Sequence, residues 1–189
     1  NTITFSDLLT THNWTGGSSG TLNLLGVWPS GGDEVVALAS HNNQLIIFGK
    51  KQTLIYTGAT TLSSMTLYDT LDNIGCVARD SVQDTGDDIV FLSDTGVRSL
   101  RRTIQEKSAP TRSLSKNVFN DLQAYMTAET LANVKSGYSP VEGIYVITFP
   151  ASFIAYCFDM KAVLPDGAAR VTTWTGIKPK CFAYLKSRK

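Results

Sequence analysis

The tripeptide Asp-Thr-Gly occurs twice, at Asp84 to Gly86 and at Asp94 to Gly96. In aspartic peptidases, an aspartate in such a turn shares a proton with a second aspartate, and this separates their pKa values for acid–base catalysis. Here the copies stand at opposite ends of one predicted strand, Ile89 to Ser93, and about 3.3 Å per residue keeps them about 30 Å apart. They cannot form one dyad. Asp-x-Gly also forms ordinary hairpin turns, which is the favoured interpretation, while Asp94 stays open as half of a dyad across a homodimer.

Other reactive residue types lack the spacing that their chemistry needs. His12 and His41 are the only histidines, and neither has a second ligand three or four residues away. The G-x-S-x-G, phosphate-loop, G-x-G-x-x-G and H-E-x-x-H motifs are absent. Widely separated cysteines with apolar, strand-like neighbours predict buried reduced thiols. These cysteines are Cys76, Cys157 and Cys181. We therefore expect no metal site, no cofactor and no enzymatic activity.

Positive charge is concentrated in the second half of the chain. Residues 1–97 carry ten acidic residues and three basic ones, a net charge of −7, whereas residues 98–189 carry six acidic and fourteen basic ones, a net charge of +8. A cationic cluster near this boundary is the candidate contact for nucleic acid or for a neighbouring subunit. Its members are Arg98, Arg101, Arg102, Lys107, Arg112 and Lys116.

Clustered cations favour phosphate binding because counterions are released. Aromatic side chains that could stack on bases are not interleaved with this cluster, so any nucleic-acid contact is expected to be independent of sequence. Salt bridges to the acidic half of a neighbouring subunit, or pairing of the two halves within one chain, explain the same charge pattern. All three interpretations stay open from the residues alone.

A binding module is an alternative to a structural role, because tryptophan stacks on sugar rings. Trp14 and Trp28 flank a stretch rich in glycine and serine, and Trp174 ends a strand-like run. Tryptophans are more often core or interface anchors. Recognition of a host glycan or receptor through Trp14, Trp28 or Trp174 is therefore the second hypothesis, and the peptidase is the third.

The elements that must position these residues are mainly short strands. Runs rich in Val, Ile, Phe, Tyr and Thr alternate with turns rich in Gly, Asn, Asp and Ser. The runs are 35–40, 44–48, 53–56, 80–82, 89–93, 97–100, 144–149, 155–159, 170–174 and 181–185. The strands beginning at Gln44 and Ile89 lie about 45 residues apart, a blade-like spacing. This predicts a mainly β chain of antiparallel, propeller-like blades, which need not form a complete propeller.

One segment departs from the strand pattern. Leu114, Val118, Leu122, Tyr125 and Met126 follow helical spacing, which predicts a helical insertion near residues 115–134. We expect Ser115 to cap its start and Thr127 to cap a second short helix. The predicted organisation is an N-terminal segment, 1–34, with the Gly/Ser-rich loop, followed by a propeller-like β domain, 35–189, that contains the insertion.

Motifs between about residues 35 and 180 resemble those of the nozzle, or tail tubular, proteins of short-tailed bacteriophages. The first is Leu-Asp-Asn-Ile-Gly-Cys-Val-Ala-Arg-Asp-Ser-Val, residues 71–82, followed by Asp-Ile-Val-Phe-Leu-Ser-Asp-Thr-Gly-Val, residues 88–97. Ser-Leu-Ser at 113–115 then leads the insertion. Tyr-Ser-Pro at 138–140, the strand-like run 144–150, and the runs 156–159 and 170–174 complete the order.

The resemblance implies a structural virion protein without catalysis. Such proteins contain propellers and form a ring, usually hexameric, at the distal end of the tail, through which double-stranded DNA passes. The implied partners are further copies of the chain and the portal, adaptor and tail-fibre proteins, with no small-molecule substrate. The implied location is the virion tail, after synthesis in the cytoplasm of the bacterial host. Members of the family are several times longer, so we expect this chain to be a fragment or a reduced relative.

Overall fold

The computed structural model describes residues 1–59, 61–106 and 113–185, and leaves the side chain of Leu62 undescribed. The chain divides into two compact units, residues 1–75 and 76–189. The boundary expected after residue 34 lies inside the first unit. The described residues form several antiparallel sheets, none of them closed, which confirms the prediction of a mainly β chain. None of the described helices is long and apolar enough to cross a membrane.

The first unit contains a strand pair and a four-stranded sheet. Strands β1 (Thr2–Phe5) and β2 (Gly20–Asn23) pair antiparallel. The sheet runs in chain order and consists of β3 (Val35–His41), β4 (Gln44–Gly49), β5 (Thr53–Thr57) and β6 (Thr66–Leu71). A 3₁₀ turn, Leu62–Ser64, precedes β6. Asn42 and Asn43 both have positive φ, as a two-residue hairpin turn between twisted strands requires.

A carboxylate holds the turn between β4 and β5. Asp33 accepts hydrogen bonds from the backbone N–H groups of Lys50 (3.1 Å), Lys51 (2.8 Å) and Gln52 (2.9 Å). A Cβ atom on Gly49 would lie 2.4 Å from the Asp33 carboxylate, so this position accepts only glycine without rearrangement. The apolar core of the unit lies beside this turn and contains Leu24, Trp28, Ile47, Leu54 and Tyr56.

The second unit contains a three-stranded and a four-stranded sheet, each in chain order. The smaller sheet consists of β7 (Gln83–Asp84), β8 (Ile89–Ser93) and β9 (Gly96–Ser99). The larger consists of β10 (Lys135–Ser139), β11 (Ile144–Phe149), β12 (Ile154–Val163) and β13 (Ala169–Thr175). The helices are α1 (Leu100–Gln105) and α2 (Phe119–Ala128), with 3₁₀ turns at Arg79–Ser81, Lys116–Val118, Leu131–Asn133 and Pro150–Ser152.

A buried hydrogen-bond network connects the sheets of the second unit. The hydroxyl of fully buried Tyr145 on β11 donates to the carbonyl oxygen of Ser81 at 2.7 Å. The Ser81 hydroxyl donates to the Ala78 carbonyl at 2.6 Å and accepts from the N–H of Leu92 on β8 at 3.0 Å. Burial raises the pKa of Tyr145 far above its usual value, so the hydroxyl stays protonated and continues to donate.

The helical insertion is confirmed, but its caps differ from the prediction. Ser115 precedes the 3₁₀ turn Lys116–Val118. Its hydroxyl oxygen accepts from the N–H of Val97 instead of capping the helix. Thr127 is not a cap, because α2 continues through Ala128 and the Thr127 hydroxyl donates to the carbonyl of Gln123. Leu122 buries the apolar face of α2 in the core of this unit.

Three of the predicted strands differ from the structure in more than their exact bounds or end early. The run 80–82 is mostly a 3₁₀ turn, because the Ser81 hydroxyl bonds back to Ala78. The run 97–100 ends as a strand at Ser99, whose hydroxyl oxygen accepts from the N–H of Arg102 and begins helix α1. Residues 181–185 form no strand, and Phe182 contacts the β10 backbone at Gly137.

Replacing Asp33 with alanine is expected to destabilise the first unit by about 2 kcal/mol, because a charged acceptor is lost from three backbone donors. Urea unfolding followed by tryptophan fluorescence measures this loss. The control is Asp87→Ala, which alters an exposed turn aspartate of the other unit. Equal unfolding midpoints for the Asp33 variant and the wild-type chain would contradict this role of the carboxylate.

The second unit is expected to lose stability at acid pH partly through Asp80. Hydrogen bonds from Arg79 and Lys135 lower the pKa of this carboxyl group. A lowered folded-state pKa stabilises the fold above the ordinary aspartate value, near pH 4, and this contribution disappears as the pH falls through the lowered value. Because Arg79 is exposed and Asp80 and Lys135 are only partly buried, solvent screens these contacts and the effect is below about 1 kcal/mol. Urea midpoints at pH 6 and pH 3 should differ less in Asp80→Asn than in the wild-type chain.

Candidate functional site

The candidate cationic cluster begins inside the second unit. Arg98 on β9 is only 5% exposed, and its Nε donates to Thr95 Oγ1 at 2.8 Å. Burial lowers the pKa of its guanidinium group, while the negative charges of Asp94 and Glu106 act in the opposite direction. In the described structure this guanidinium is therefore not presented to a phosphate, which corrects the expectation for Arg98 as a surface contact.

Asp88 positions the next two arginines by fixing the start of α1. Its carboxylate accepts from the N–H groups of Ile89 (2.7 Å) and Arg101 (2.8 Å) and from the hydroxyl of Ser99. The Ser99 oxygen in turn accepts from the N–H of Arg102 at 3.2 Å. Arg101 is exposed, whereas half-buried Arg102 donates through Nη1 to the carbonyl oxygen of Gly167, ahead of β13.

Lys116 lies at the surface, where its Nζ is 3.6 Å from Asp166 Oδ2. The N–H of Ala168 is the main cause that lowers the pKa of Asp166, and Lys116 adds to it. The remaining predicted members, Lys107 and Arg112, lie outside the described residues. Of the four members that are described, Arg101 and Lys116 are exposed, and Arg98 and Arg102 are held by contacts within the unit.

Both Asp-Thr-Gly copies lie in turns, as predicted. Gly86 and Gly96 have φ values of 90° and 105°, and Ser93 pairs with Gly96 across a two-residue turn. The first turn is closed by Thr85, whose N–H and hydroxyl both donate to the Asp88 carbonyl at 2.8 and 2.9 Å. The two turns stand at opposite ends of β8, so Asp84 and Asp94 do not form one dyad.

Thiol burial follows the prediction at two positions of three. Cys76 and Cys157 are buried and free, and burial raises the pKa of the Cys76 thiol to about 11. Cys181 is exposed, so the prediction of a buried thiol is wrong there, because residues 181–185 do not form the expected strand. Within the part of the chain that the structure describes, no three His, Cys, Asp or Glu side chains are grouped to hold a metal ion.

The three tryptophans differ in access. Trp28 is 4% exposed and belongs to the core of the first unit, where its Nε1 has no hydrogen-bond acceptor among the described residues. Trp14 is 50% exposed in the first unit, and Trp174 is 51% exposed on β13 of the second. Only the latter two present a ring to solvent.

The first unit contains an apolar cavity of about 420 Å³ that none of the sequence motifs indicates. Its walls come from β1, β2 and the four-stranded sheet, and include Ile3, Phe5, Leu22, Leu38, Leu45 and Met65. The alternating apolar residues of β1 and β2 were the available signal. The loop beside the cavity exposes Leu8 and Leu9, the latter 97% exposed with φ of 60°.

Asp7 organises that loop. Its carboxylate accepts from the hydroxyl and N–H of Ser18 (both 2.7 Å), from the N–H of Leu8 (2.8 Å) and from the side-chain amide of Asn13 (3.2 Å). The Ser18 hydroxyl is the main cause that lowers the pKa of Asp7. The Gly/Ser-rich loop is thus bound to one carboxylate at two points, Asn13 and Ser18.

Searches of the chain against protein-family models and against curated proteins find no match.

Replacing Arg98 with alanine is expected to destabilise the second unit by about 2 kcal/mol, because a buried, hydrogen-bonded side chain is lost. The matched variant Arg101→Ala removes the same charge from an exposed position three residues later, and its effect should stay within about 0.5 kcal/mol. Chemical unfolding of the two variants distinguishes them. Equal destabilisation would show that the burial of Arg98 has no structural importance.

Proposed function

We propose that this chain is a structural, non-catalytic subunit of a bacteriophage tail nozzle or hub, and that its sheets are propeller blades. The observation that carries this proposal is the repetition of one local architecture. The sheets β3 to β6 and β10 to β13 are both four-stranded antiparallel meanders in which each strand pairs with the next. Four such strands are the ordinary composition of a propeller blade.

The location of the motifs adds support. The stretch 88–97 that resembles the nozzle proteins coincides with the hairpin of β8 and β9. The stretches 144–150, 156–159 and 170–174 fall on β11, β12 and β13, apart from Pro150 immediately after β11. The helical insertion separates the two groups, in the same order as in the resemblance.

The three-stranded sheet has the features of a blade with a replaced outer strand. The N–H of Leu114 donates to the carbonyl of Val97 on β9 at 2.9 Å, so residues 113–115 continue the sheet for one contact. The Ser115 hydroxyl oxygen accepts from the Val97 N–H at 2.9 Å, so both backbone groups of Val97 that could bind a fourth strand have partners. In this proposal, α1 and α2 lie in the connection between β9 and β10, where a simple blade would continue with a hairpin and a fourth strand.

In this proposal, copies of the chain form a ring, most simply a hexamer, and DNA passes through it without being read. The exposed cations Arg101 and Lys116 support a small, salt-sensitive contact with phosphates, because each neutralised phosphate releases counterions. The portal or adaptor and tail-fibre proteins of the virion are the proposed neighbours. In this proposal the chain has a structural role and catalyses no reaction.

A glycan- or receptor-binding module is the second candidate, and the exposure of Trp14 and Trp174 favours it. Each presents about half of its surface to solvent, as stacking on a sugar requires. A selective glycan signal that is lost in Trp14→Ala or Trp174→Ala would favour this candidate over the nozzle.

Negative-stain imaging and mass photometry of the full chain test the nozzle proposal. We expect ring-shaped particles with a central opening at micromolar concentration. Fluorescence anisotropy with duplexes of unrelated sequence should give equal, weak and salt-sensitive binding, which Arg101→Glu further weakens. Particles without a ring at every concentration, combined with selective sugar binding or pepstatin-sensitive proteolysis that Asp94→Asn abolishes, would contradict the proposal.

A further inference from the structure

Strand β13 ends its sheet and has one free edge. The N–H of Gly176 donates to the Phe153 carbonyl at 2.8 Å, and Thr175 stands opposite Ile154. In an antiparallel ladder, hydrogen-bonded and non-hydrogen-bonded pairs alternate. Counting from Gly176, alternate residues direct their N–H and C=O groups away from β12. These residues are Val171, Thr173 and Thr175.

The start of this edge is already covered. The N–H of Ala169 points outward by the same alternation and donates to the Leu114 carbonyl at 2.9 Å. From Val171 onward the described structure records no further cover, and residues 172–175 are all exposed. The open part of the edge therefore extends from Val171 to Thr175.

This edge lacks the features that usually prevent strand pairing. Proteins protect edge strands with charged side chains, proline or bulges. Residues 171–175 contain neither charge nor proline, and the register shift of this strand pair lies before Arg170. By contrast, register shifts interrupt the pairs formed by β3 and β6, the two edge strands of the other four-stranded sheet.

We propose that β13 pairs antiparallel with β13 of a second copy, about a two-fold axis at Thr173. In this register Thr173 faces Thr173, and Val171 faces Thr175. All three outward-directed residues then stand in hydrogen-bonded pairs with equivalent residues of the partner, and each donor meets an acceptor. A register centred on Val171 would instead place Thr173 opposite Ala169, whose N–H is already bound to Leu114.

Charge and side-chain pairing fit this register. Arg170, the only charged residue of β13, falls opposite Gly176, so no like charges face each other. Trp174 falls opposite Thr172 in a close, non-hydrogen-bonded pair, which suits an aromatic ring and a β-branched side chain. Half-exposed Trp174 lies on the edge strand itself and supplies apolar surface that the pairing covers.

This contact goes beyond the proposed nozzle function, because a two-fold axis joins copies in pairs. Between free subunits it produces a dimer. Between rings it joins two rings, so the number of copies in each particle doubles in both cases.

The test compares Thr173→Pro with Thr173→Val by mass photometry and sedimentation of the full chain. Proline removes an outward N–H without removing a donor to β12. Wild-type and Thr173→Val particles should contain twice as many copies as Thr173→Pro particles, with pairing about a hundredfold weaker in the proline variant, which loses one donor on each copy. Copy numbers that are equal in the wild-type chain and Thr173→Pro would overturn the proposal, whether or not rings form.

Cross-linking tests the register even if the proline variant folds poorly. The variant Thr173→Cys in a Cys181→Ser background should oxidise to a covalent dimer, because Cα atoms in a hydrogen-bonded pair lie about 5.5 Å apart. The matched control is Thr66→Cys in the same background, an exposed threonine on edge strand β6. Cross-linking at equal rates in the two variants would refute pairing at β13.

Discussion

The second unit depends on one buried hydrogen-bond network at Ser81. This serine accepts from the Tyr145 hydroxyl through its carbonyl oxygen and from the Leu92 N–H through its side chain, so it binds β11 and β8 at once. Burying a polar group costs free energy of folding unless the group makes a hydrogen bond. In this network the buried hydroxyls of Tyr145 and Ser81 and the N–H of Leu92 all have hydrogen-bond partners. The two sheets therefore have a fixed relation to each other before side-chain packing is considered. The helical insertion packs Leu122 against the core that this relation creates.

Several charged residues bind the backbone of their own chain. Asp7, Asp33 and Asp88 each accept from several N–H groups and close a loop, a hairpin turn and a helix start. Arg102 performs the opposite role by donating to the carbonyl of Gly167. Some of the charged side chains in each half of the chain are therefore bound to backbone groups of the chain itself. Net charge alone overstates the positive surface available to a nucleic acid.

The proposed functions agree in using surfaces and edges instead of a reactive pocket. The aspartates of the two Asp-Thr-Gly copies lie in turns. The Cys76 thiol is buried, which raises its pKa. The sheets, by contrast, remain open, and the outer edge of β13 carries regular, uncharged backbone. An open sheet edge is protected when a further strand covers it, and in both proposals another copy of the chain would supply that cover. A ring subunit and an edge-paired dimer satisfy this requirement at different surfaces.

Local patterns determined the elements whose causes lie within a few residues. Alternating β-branched residues between Gly- and Asn-rich turns identified β3, β4, β8 and β11, and the stripe through Leu122 identified α2, because periodicity and turn chemistry are properties of neighbouring residues. The tertiary structure alone decided which polar groups are satisfied by distant partners. It turned 80–82 into a 3₁₀ turn through Ser81, began α1 at Ser99 beside Asp88, and buried Arg98. The hydrogen bonds of Ser81 to Ala78 and of Arg102 to Ser99 are local, but the contacts that surround them, such as that of Ser81 with Tyr145, join segments far apart in the chain, and no local pattern encodes such contacts.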